Sequence, residues 1–578
     1  MCGIFGITKF NSGSLERARE ALNTLEHRGP DQWNDFADEE VYLGHRRLSI
    51  LDLSENGKQP MFDENQSVFL TVNGEIYNFK DLRNKLEDKY KFISTSDSEV
   101  LLHGYREWGI ERLLAEIDGM YAFSIYDKKE GILYLARDRV GIKPLYYSNI
   151  KGQVAYSSEL KAIRHYYGEE NLTLDYTALY DFLTYRYIPS PKTMYQDVYK
   201  LKPAHYLKVD VKSGEIVNKR YWHLEVEYCN DDISTACDTI RSLVKKSVKE
   251  QMVSDVPVGF FLSGGLDSST VVSAASEIKK EISTFSIGFS DKDHDETVFA
   301  DIIADRFKTD HHKKILNPDL AQDLTTHLKT WYDEPFADFS CLPTFLVSKY
   351  SRDNVTVVLT GDGGDEVFGG YNWYRDFVAI SKYRMPFLNK LISVINPYGK
   401  NNLLTKVSRR VFPYILNDLE LHTRLMDGIT KPGKKEYMKA WEIPDDYDDY
   451  WFFRKYYRKD LDIYTRLQFL DFHTFLPDDI LTKVDRVSMQ VSLECRVPLL
   501  SKELIEYLFS LKPEVRLYNG ELKGAMKEAF KDILPDEILN RGKKGFSIPM
   551  SSWKDDVLKS SNNPKEFVLE RIFNIHSK

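Results

Sequence analysis

The sequence is poor in cysteine and has no long apolar run. Only five cysteines occur in 578 residues, none in a CxxC pair. They are too sparse for a disulfide framework, which fits a reducing compartment, so we expect a cytoplasmic protein. No apolar stretch reaches the roughly 18 residues that a membrane-spanning helix needs. The start MCGIFGIT is too short, and has no preceding basic residue, for a secretory signal. No membrane partner is expected.

Charge and length narrow the function further. The formal net charge of −9 argues against a broad nucleic-acid-binding surface, so we expect small-molecule partners and no nucleic acid. A chain of 578 residues is too long for a single hydrophobic core, and two or three domains are expected. The hydrophobic fraction of 42% and the charged fraction of 29% are those of an ordinary globular protein.

The two halves of the chain have different patterns. Short alternating segments such as VYLGHRRLSILDL and SVFLTVNGEIYN, with helical patterns at 15–27 and 97–108, predict an α+β domain of layered sheets over residues 1–210. Over residues 230–578, short β-branched runs alternate with amphipathic helices and predict a doubly wound parallel α/β sheet with added helices. Ligands of such sheets bind at the carboxyl ends of the strands. Residues 375–475 are predicted to be helical.

A glycine-rich loop follows the predicted strand VPVGFFL. In SGGLDSS, Ser263, Gly264 and Gly265 would let backbone N–H groups approach a phosphate, and the next helix adds its positive N-terminal end. Asp267 lies where it could hold Mg²⁺. The loop lacks the lysine of a Walker A motif, so nucleotide chemistry other than γ-phosphate transfer is favoured. The alternative is a plain strand-to-helix turn.

A second loop of this kind follows the predicted strand VTVVL. TGDGGDEVFGGY places Asp362, Asp365 and Glu366 among five glycines. Three neighbouring carboxylates repel one another unless a cation lies among them. Two such loops at strand ends of one sheet predict a binding site for a magnesium nucleotide.

The start of the chain offers a nucleophile. Without the initiator methionine, Cys2 would carry a thiol and a free α-amine, whose unperturbed pKa of about 7.7 to 8.0 makes it a usable base at neutral pH. Asn73 and Gly74, interpreted as part of a turn in VNGEIYN, could donate hydrogen bonds to an oxyanion. Arg47 could pair with a substrate α-carboxylate, and Asp97 with its ammonium. For Cys2 alone, a buried small apolar residue is the commoner role.

Several motifs resemble those of a known family. MCGIFG, HRGPD, RLSILD, NGEIYN, SDSEV and RDRVGIKPLYY resemble the glutaminase domain of class II amidotransferases, which has the fold of N-terminal-nucleophile hydrolases. SGGLDSS, TGDGGDEVFGGY, LECRVPLL and RGKKGFSIP resemble the ATP-pyrophosphatase-type synthetase domain of glutamine-hydrolysing asparagine synthetases. The motifs cover nearly the whole chain in the family's order.

The resemblance implies a role for individual residues. Cys2 would be the glutaminase nucleophile, and Asn73 and Gly74 the oxyanion hole. The implied glutamine-binding residues are Arg47, Ile50 and Leu51 through their backbone, Asn73, Gly74, Glu75 and Asp97. Together with the first loop, the implied ATP-binding residues are Leu262, Ser263, Gly264, Gly265, Asp267, Ser268, Ile287, Thr360 and Gly361. Asp267 and Asp365 would hold Mg²⁺, Asp362 would take a proton from ammonia or the intermediate, and Lys523 would stabilise the adenylation step.

The implied reaction has two halves. Cys2 would release ammonia from glutamine through a thioester. An acceptor carboxylate would attack the α-phosphorus of MgATP, and ammonia arriving through an internal passage would capture the acyl-adenylate and leave AMP. Aspartate is the expected acceptor, and a homodimer is the candidate assembly.

Two departures from the family pattern keep a second acceptor open. Asp362 stands where asparagine synthetases usually have glutamate, and DEPFADFSCLPT lacks the threonine and arginine that some members use around aspartate. The alternative acceptor is the carboxylate of a uronic acid sugar in surface-polysaccharide biosynthesis. A regulatory protein that binds glutamine and nucleotide without turnover is a more distant alternative, against which the intact Cys2 and Lys523 count.

Overall fold

The first half of the chain folds into antiparallel sheets. A computed structural model describes residues 1–290, 295–316, 324–385, 412–542 and 564–576. The strands of this half are β1 Gly3–Thr8, β2 Gln32–Ala37, β3 Val41–Arg47, β4 Met61–Phe62, β5 Val68–Ile76, β6 Gly119–Asp127, β7 Ile132–Arg137, β8 Tyr146–Ile150, β9 Gln153–Ser157, β10 Val198–Lys200, β11 His205–Asp210 and β12 Ile216–Arg220. Within the described residues they form two six-stranded sheets, β10-β8-β9-β1-β3-β2 and β12-β11-β7-β6-β5-β4.

The two antiparallel sheets pack face to face between helices. Alternation along the strands places Ile4 and Leu43 of one sheet, and Phe69 and Leu135 of the other, in one shared core. The outer faces are covered by helices from this half, which are Leu15–Asn23, Phe79–Leu86, Glu99–Glu116 and Leu160–Tyr167, with Tyr176–Tyr185 following. The predicted layered α+β architecture is confirmed. The helical patterns at 15–27 and 97–108 are confirmed as well, and the second helix continues to Glu116.

The second half contains a parallel sheet. Its strands are β13 Val258–Phe261, β14 Ser283–Phe289, β15 Asp310–Leu316, β16 Val357–Leu359 and β17 Glu494–Arg496. In the described part of the chain they are all parallel and follow the order β15-β14-β13-β16-β17. Successive strands run outward from β13 in one direction and then in the other, which is the predicted doubly wound topology. The loops after β13 and β16 therefore lie side by side at the point where the order reverses.

Helices cover this sheet and extend beyond it. Those before β16 are Ile233–Gln251, Leu266–Ile278, Thr297–Phe307, Leu328–Tyr332 and Cys341–Arg352. Those after it are Gly364–Phe368, Asn372–Ser381, Asp418–Leu425, Lys435–Ala440, Trp451–Tyr456, Ile463–His473, Leu481–Met489, Lys502–Ser510, Pro513–Arg516, Gly524–Phe530, Asp536–Leu539 and Pro564–Phe567. The helical prediction for 375–475 is confirmed where the chain is described, and its residues 386–411 lie outside the described part. None of the helices in the described part of the chain is both long and apolar enough to cross a bilayer.

Buried ion pairs join the two halves of the chain. Arg28, which is fully buried, donates from Nη1 to Glu159 in its own half and to Asp485 in the other half, both at 2.8 Å. Arg486 forms an ion pair with the same Glu159 at 3.2 Å. Ser190 donates from its backbone N–H to Asp478 at 2.7 Å. Paired charges without water hold a fixed geometry, so the two halves meet in a defined orientation.

Candidate functional site

Cys2 lies directly before β1, near the middle of the first sheet, and is buried. Its N–H donates to Asn73 Oδ1 at 3.0 Å, and its carbonyl accepts from Arg28 Nε at 3.0 Å. Burial raises the pKa of the Cys2 thiol, against the terminal ammonium, the backbone of Leu48 and Arg47, which lower it. Because the thiolate is the nucleophile, a thiol of raised pKa requires a base beside it.

Met1 is present in the described chain and is buried against the second half. Its ammonium donates to Glu494 Oε2 of β17 at 2.7 Å. Burial raises the pKa of Glu494, but the ammonium, Arg496 and Lys143 together lower it to about 2. With Met1 in place the nitrogen of Cys2 is a peptide amide, so the role of the Cys2 α-amine as a base stays a prediction.

Asn73 and Gly74 lie inside a strand. Both belong to β5, where they pair with Ala122 and Tyr121 of β6, so the prediction of a turn in VNGEIYN is wrong. The Asn-Gly pair favours a turn locally, but pairing with the neighbouring strand overrides that preference. A Cβ atom on Gly74 would lie 2.1 Å from the carbonyl oxygen of Met120, so only glycine allows this close approach.

The Asn73 amide group has a donor to spare next to the nucleophile. Asn73 is fully buried, and its Oδ1 is used by the Cys2 N–H. Its Nδ2 has no hydrogen-bond partner among the described residues. A buried donor without a partner is costly and rare, and it is typical of a site that awaits an oxygen atom. The geometry is therefore compatible with the expected oxyanion role of Asn73.

Two buried carboxylates, Glu75 and Asp97, lie near each other beside this strand. The pKa of Glu75 is raised well above its ordinary value by burial and by the charge of Asp97. The pKa of Asp97 is also raised, chiefly by burial, although the Ile76 N–H that it accepts at 2.7 Å opposes the shift. Neighbouring buried carboxylates favour a bound cation, and a substrate ammonium would meet this need. The structure brings together Asp97, expected to pair with the substrate ammonium, and Glu75, another residue of the expected glutamine-binding set.

Arg47 is engaged by the loop that follows it. Its Nη1 donates to Gln32 Oε1 at 2.8 Å and to the Ser54 carbonyl at 3.0 Å, and its Nη2 to the Leu51 carbonyl at 3.1 Å. These bonds shape the loop that carries Ile50 and Leu51, both of which are buried. Arg47 therefore positions the expected glutamine-binding backbone in the described structure.

The second candidate site lies at the strand ends of the parallel sheet. The helix Leu266–Ile278 begins inside the SGGLDSS motif, directly after Gly265, and the Ser263 and Ser268 hydroxyl groups lie 3.1 Å apart. A Cβ atom on Gly361 of the second loop would lie 2.7 Å from the backbone nitrogen of Ser268. The two loops therefore touch, and glycine at position 361 allows it.

Lys523 joins the acidic residues of the two loops. Its ammonium lies 2.5 Å from Asp267 Oδ2 and 2.7 Å from Asp365 Oδ1. Burial lowers the pKa of Lys523, but the two carboxylates outweigh it and raise the pKa above its ordinary value. Glu366 instead accepts from the Tyr371 hydroxyl at 2.6 Å. Asp267 of the first loop and Asp365 of the second loop thus converge on the ammonium of Lys523.

The same carboxylates fit a magnesium ion that shares its ligands with phosphates. Mg²⁺ prefers oxygen ligands and usually binds through one or two carboxylates plus substrate phosphates and water. Among the described residues no cluster of three or more His, Cys, Asp or Glu side chains suits a metal ion. Asp267 and Asp365 would therefore hold Mg²⁺ only together with a bound nucleotide.

A cavity of about 1090 Å³ opens over both loops. Most of the residues expected at the ATP site line it, namely Leu262, Ser263, Gly265, Asp267, Ser268, Ile287, Thr360 and Gly361, as do Asp362, Asp365 and Lys523. Gly264 does not line it. The φ angle of Gly264 is +68°, a Cβ atom there would lie 2.5 Å from the backbone of Ala300, and its carbonyl accepts from Arg541 at 3.0 Å. Gly264 serves the turn of the loop.

Two cationic side chains on one wall of this cavity, Lys483 and Arg186, were not predicted from the sequence. Lys483, from the helix Leu481–Met489, donates to Ser340 Oγ at 2.9 Å and lies 3.3 Å from Asp338 Oδ2. Arg186, from the first half of the chain, lines the same wall. A lysine inside an otherwise buried helical segment was the only local signal for Lys483. Residues 543–549 of the motif RGKKGFSIP lie outside the described part of the chain.

The two candidate sites meet at β17. Glu494 of this strand contacts the Met1 ammonium, next to Cys2. The neighbouring strand β16 pairs with β17 and leads into Thr360, whose N–H donates to the Arg496 carbonyl at 2.9 Å. Strand β17 thus adjoins both the amino terminus next to Cys2 and the loop that begins at Thr360.

Comparisons with known proteins match both halves of the chain. Residues 239–565 match the family described as asparagine synthase, and residues 1–222 match the glutamine amidotransferase domain. The chain is 34% identical to the glutamine-hydrolyzing asparagine synthetase 1 of Bacillus subtilis, covering 96% of this chain and 88% of that protein. Asparagine synthetase 3 of the same organism is 31% identical over 94% and 87% of the two chains. The amidase chry2 of Gibberella zeae is 27% identical over 93% and 86%.

Proposed function

Since this chain belongs to the asparagine synthase family and begins with a glutamine amidotransferase domain, we propose that it hydrolyses glutamine and uses the ammonia to convert aspartate into asparagine, with AMP and pyrophosphate as products. It is a glutamine-dependent ligase, which removes the alternative of a binding protein without turnover. One observation carries the proposal. The single strand β17 contacts both regions, through Glu494 with the amino terminus next to Cys2 and through Arg496 with Thr360 of the nucleotide loop.

In the first half-reaction, Cys2 attacks the side-chain amide of glutamine after Met1 is removed. The freed α-amine accepts the thiol proton, which the raised pKa of the thiol makes necessary. Asn73 Nδ2 donates to the oxyanion, with Gly74 beside it, and loss of such a donor costs roughly 100- to 1000-fold in rate. Glu75 and Asp97 bind the substrate ammonium. Leaving of ammonia gives a thioester, which water hydrolyses to glutamate.

In the second half-reaction, the loops at the strand ends of the parallel sheet bind ATP as a substrate. The SGGLDSS loop approaches its phosphates, and Ile287 and Thr360 line the nucleotide cavity. Asp267 and Asp365 would hold Mg²⁺ together with the phosphates, and the ion would supply charge neutralisation there. Lys523, already between these carboxylates, stabilises the charge that develops as the acceptor carboxylate attacks the α-phosphorus.

We propose that Asp362 takes the proton that becomes acidic when ammonia adds to the acyl-adenylate. Its Oδ2 accepts from the Thr360 hydroxyl at 2.8 Å, which orients the carboxylate at the mouth of the loop. The residue lines the cavity that holds Lys523, and its charge acts on Cys495 of β17. Asp362 thus contributes to the nucleotide cavity and lies within electrostatic reach of β17.

A uronic acid sugar is the second candidate acceptor. The cavity of about 1090 Å³ reaches well beyond the two loops, to Arg186, Phe339 and Trp373. Aromatic side chains together with a cation suit a large acceptor with an apolar ring face and a carboxylate. Aspartate remains the first candidate, because this chain belongs to the asparagine synthase family.

Product analysis tests the proposal. The protein is incubated with glutamine and MgATP, together with aspartate or with candidate uronic acids, and AMP, pyrophosphate and the amidated product are measured. Acceptor-dependent AMP with asparagine supports the first candidate, and AMP with an amidated sugar supports the second. Glutamate release without acceptor-dependent AMP rejects both. A Cys2→Ala variant should lose glutamine-dependent synthesis and retain synthesis with free ammonium.

The partners follow from the same chemistry. The small-molecule partners are glutamine, ATP and the acceptor carboxylate. We further propose that the protein works in the cytoplasm as a homodimer, which size-exclusion chromatography with light scattering would test. The predicted domains 1–210 and 230–578 remain part of the proposal, and limited proteolysis between residues 210 and 230 would test them.

A further inference from the structure

Arg496 is a fully buried arginine at the end of β17 that no part of the proposed chemistry uses. Its Nε donates to Glu494 Oε1 at 2.7 Å. Its Nη1 donates to the carbonyl groups of Gln251 and Val253 at 2.8 and 2.7 Å. Its Nη2 lies 3.3 Å from Glu75 Oε1 in the other half of the chain. Arg496 thus extends from the synthetase sheet to the expected glutamine pocket.

The contact with Glu75 bears on glutamine recognition. Burial and the charge of Asp97 raise the pKa of Glu75, and Arg496 is the group that opposes this rise most strongly. A protonated Glu75 could not attract a substrate ammonium. Because an opposite charge favours ionisation of a buried carboxyl group, Arg496 opposes this rise and favours the ionised form of Glu75, which a substrate ammonium needs.

The contacts with the segment 251–253 reach the glutamine pocket from a second side. This segment continues to Asp255, whose N–H donates to the Ile50 carbonyl at 2.9 Å. Asp255 Oδ2 accepts from the Asp52 N–H at 2.8 Å. Asp255 therefore clamps the loop that contains the expected glutamine-binding backbone of Ile50 and Leu51. The guanidinium of Arg496 fixes both the segment behind this loop and the carboxylate of Glu75.

The backbone of the same residue faces the nucleotide site. The carbonyl of Arg496 accepts from the N–H of Thr360, the first residue of the TGDGGDEVFGGY loop. A change of side chain at position 496 leaves this backbone bond in place. The side chain and the backbone therefore serve different sites and can be tested separately.

We propose that Arg496, supplied by the synthetase sheet, is the positioning residue that completes the glutamine pocket by holding Glu75 and, through the segment 251–255, the loop at Ile50. This inference rests on the proposed function. Glutamine hydrolysis by this chain thus requires the presence of β17 and its arginine, and it is not a property of the first half alone.

Two substitutions test the role of the guanidinium in the full-length protein. Arg496→Lys keeps the charge but loses the fork that reaches several acceptors at once, and the KM for glutamine should rise by roughly tenfold. Arg496→Met removes the charge and should raise that KM further. Ammonium-dependent synthesis should stay within about twofold of wild type in both, because Thr360 keeps its backbone partner. Arg516→Lys is the matched control, since Arg516 is buried and, within the described residues, its side-chain hydrogen bonds go to Gln468 and Thr465 of the second half.

The pH profile gives a readout that a merely structural role would not change. In Arg496→Met the acidic limb of kcat/KM for glutamine should move up by about one pH unit or more, because Glu75 loses its opposite charge. The other charged or titratable groups near Glu75, which are Asp97, Glu494, Tyr77 and the chain's terminal ammonium, are unchanged in the variant. Arg516→Lys should show no such shift.

The results separate the inference from the function on which it rests. A raised KM for glutamine with a shifted acidic limb and intact ammonium-dependent synthesis supports the role of Arg496. If ammonium-dependent synthesis falls in parallel, or if both variants match Arg516→Lys, the inference is overturned. Arg496→Lys decides the matter by its KM even if Arg496→Met fails to fold. A wild-type protein without glutamine hydrolysis would instead reject the proposed function.

Discussion

Replacing Asn73 by alanine separates the effect of its amide group on the free energy of unfolding from its effect on glutamine hydrolysis. The substitution removes the acceptor of the Cys2 N–H, at a cost of about 1 kcal/mol of stability. It also removes a buried Nδ2 donor without a partner among the described residues, which relieves about 1 to 3 kcal/mol. The small cavity left behind works in the opposite direction. The free energy of unfolding should therefore change by only about 1 kcal/mol.

Catalysis should respond far more strongly than stability. Loss of one oxyanion donor is expected to lower kcat for glutamine hydrolysis by roughly 100- to 1000-fold, or about 2.7 to 4 kcal/mol. Glutamate release is measured in a coupled assay, and urea denaturation gives the stability of the same preparations. Ammonium-dependent synthesis should be unaffected.

A matched control lies on the same face of the same strand. Thr71 is fully buried two residues before Asn73, and its hydroxyl lies 2.7 Å from that of Ser124. Thr71→Val should disturb β5 to a similar extent but leave kcat within about threefold of wild type. A kcat for Asn73→Ala that stays within that same range would refute the oxyanion role.

The remaining predictions concern charge. Lys523→Gln removes the ammonium that lies between Asp267 and Asp365, so the free energy of unfolding without Mg²⁺ should fall by about 3 kcal/mol and acceptor-dependent AMP formation should be lost. Unchanged urea curves would contradict the expected loss of stability. Burial lowers the pKa of His45 to about 3, so the folded state resists protonation of this residue. The stability present above pH 6.5 should therefore be lost as the pH falls towards 3, by about 1.4 kcal/mol per pH unit. In urea titrations at several pH values, His45→Gln should flatten this dependence. Asp362→Asn should slow ammonium-dependent amide formation at least ~100-fold while glutamine hydrolysis continues, and equal loss of both activities would argue against its role in proton transfer.

Prediction from sequence succeeded where the signal was local and repeated. β-Branched runs that alternate with amphipathic helices predicted the doubly wound sheet, and the structure confirms its order from β15 to β17. The prediction failed at Asn73 and Gly74, because an Asn-Gly pair has a local turn preference that the ladder with β6 overrides. Local preference is weak compared with nine paired residues along a buried strand.

The loops illustrate the same division. Glycines and carboxylates in SGGLDSS and TGDGGDEVFGGY indicated a site for nucleotide and metal before any contact was known. The sequence did not indicate that Gly264 would serve the turn, or that Glu366 would bind Tyr371. Those outcomes depend on which side chains neighbouring segments bring close.

Residue types and their local order showed, without help from the fold, that this chain has a cysteine near its start and two acidic glycine loops behind strands that the pattern predicts to be buried. Tertiary structure alone decided that Lys523 lies between Asp267, 256 positions earlier, and Asp365, and that Arg496 extends to Glu75. The physical reason is range: backbone preferences and periodicity act over a few neighbours, whereas contacts between distant segments are set by the order of the strands and the packing of the two halves.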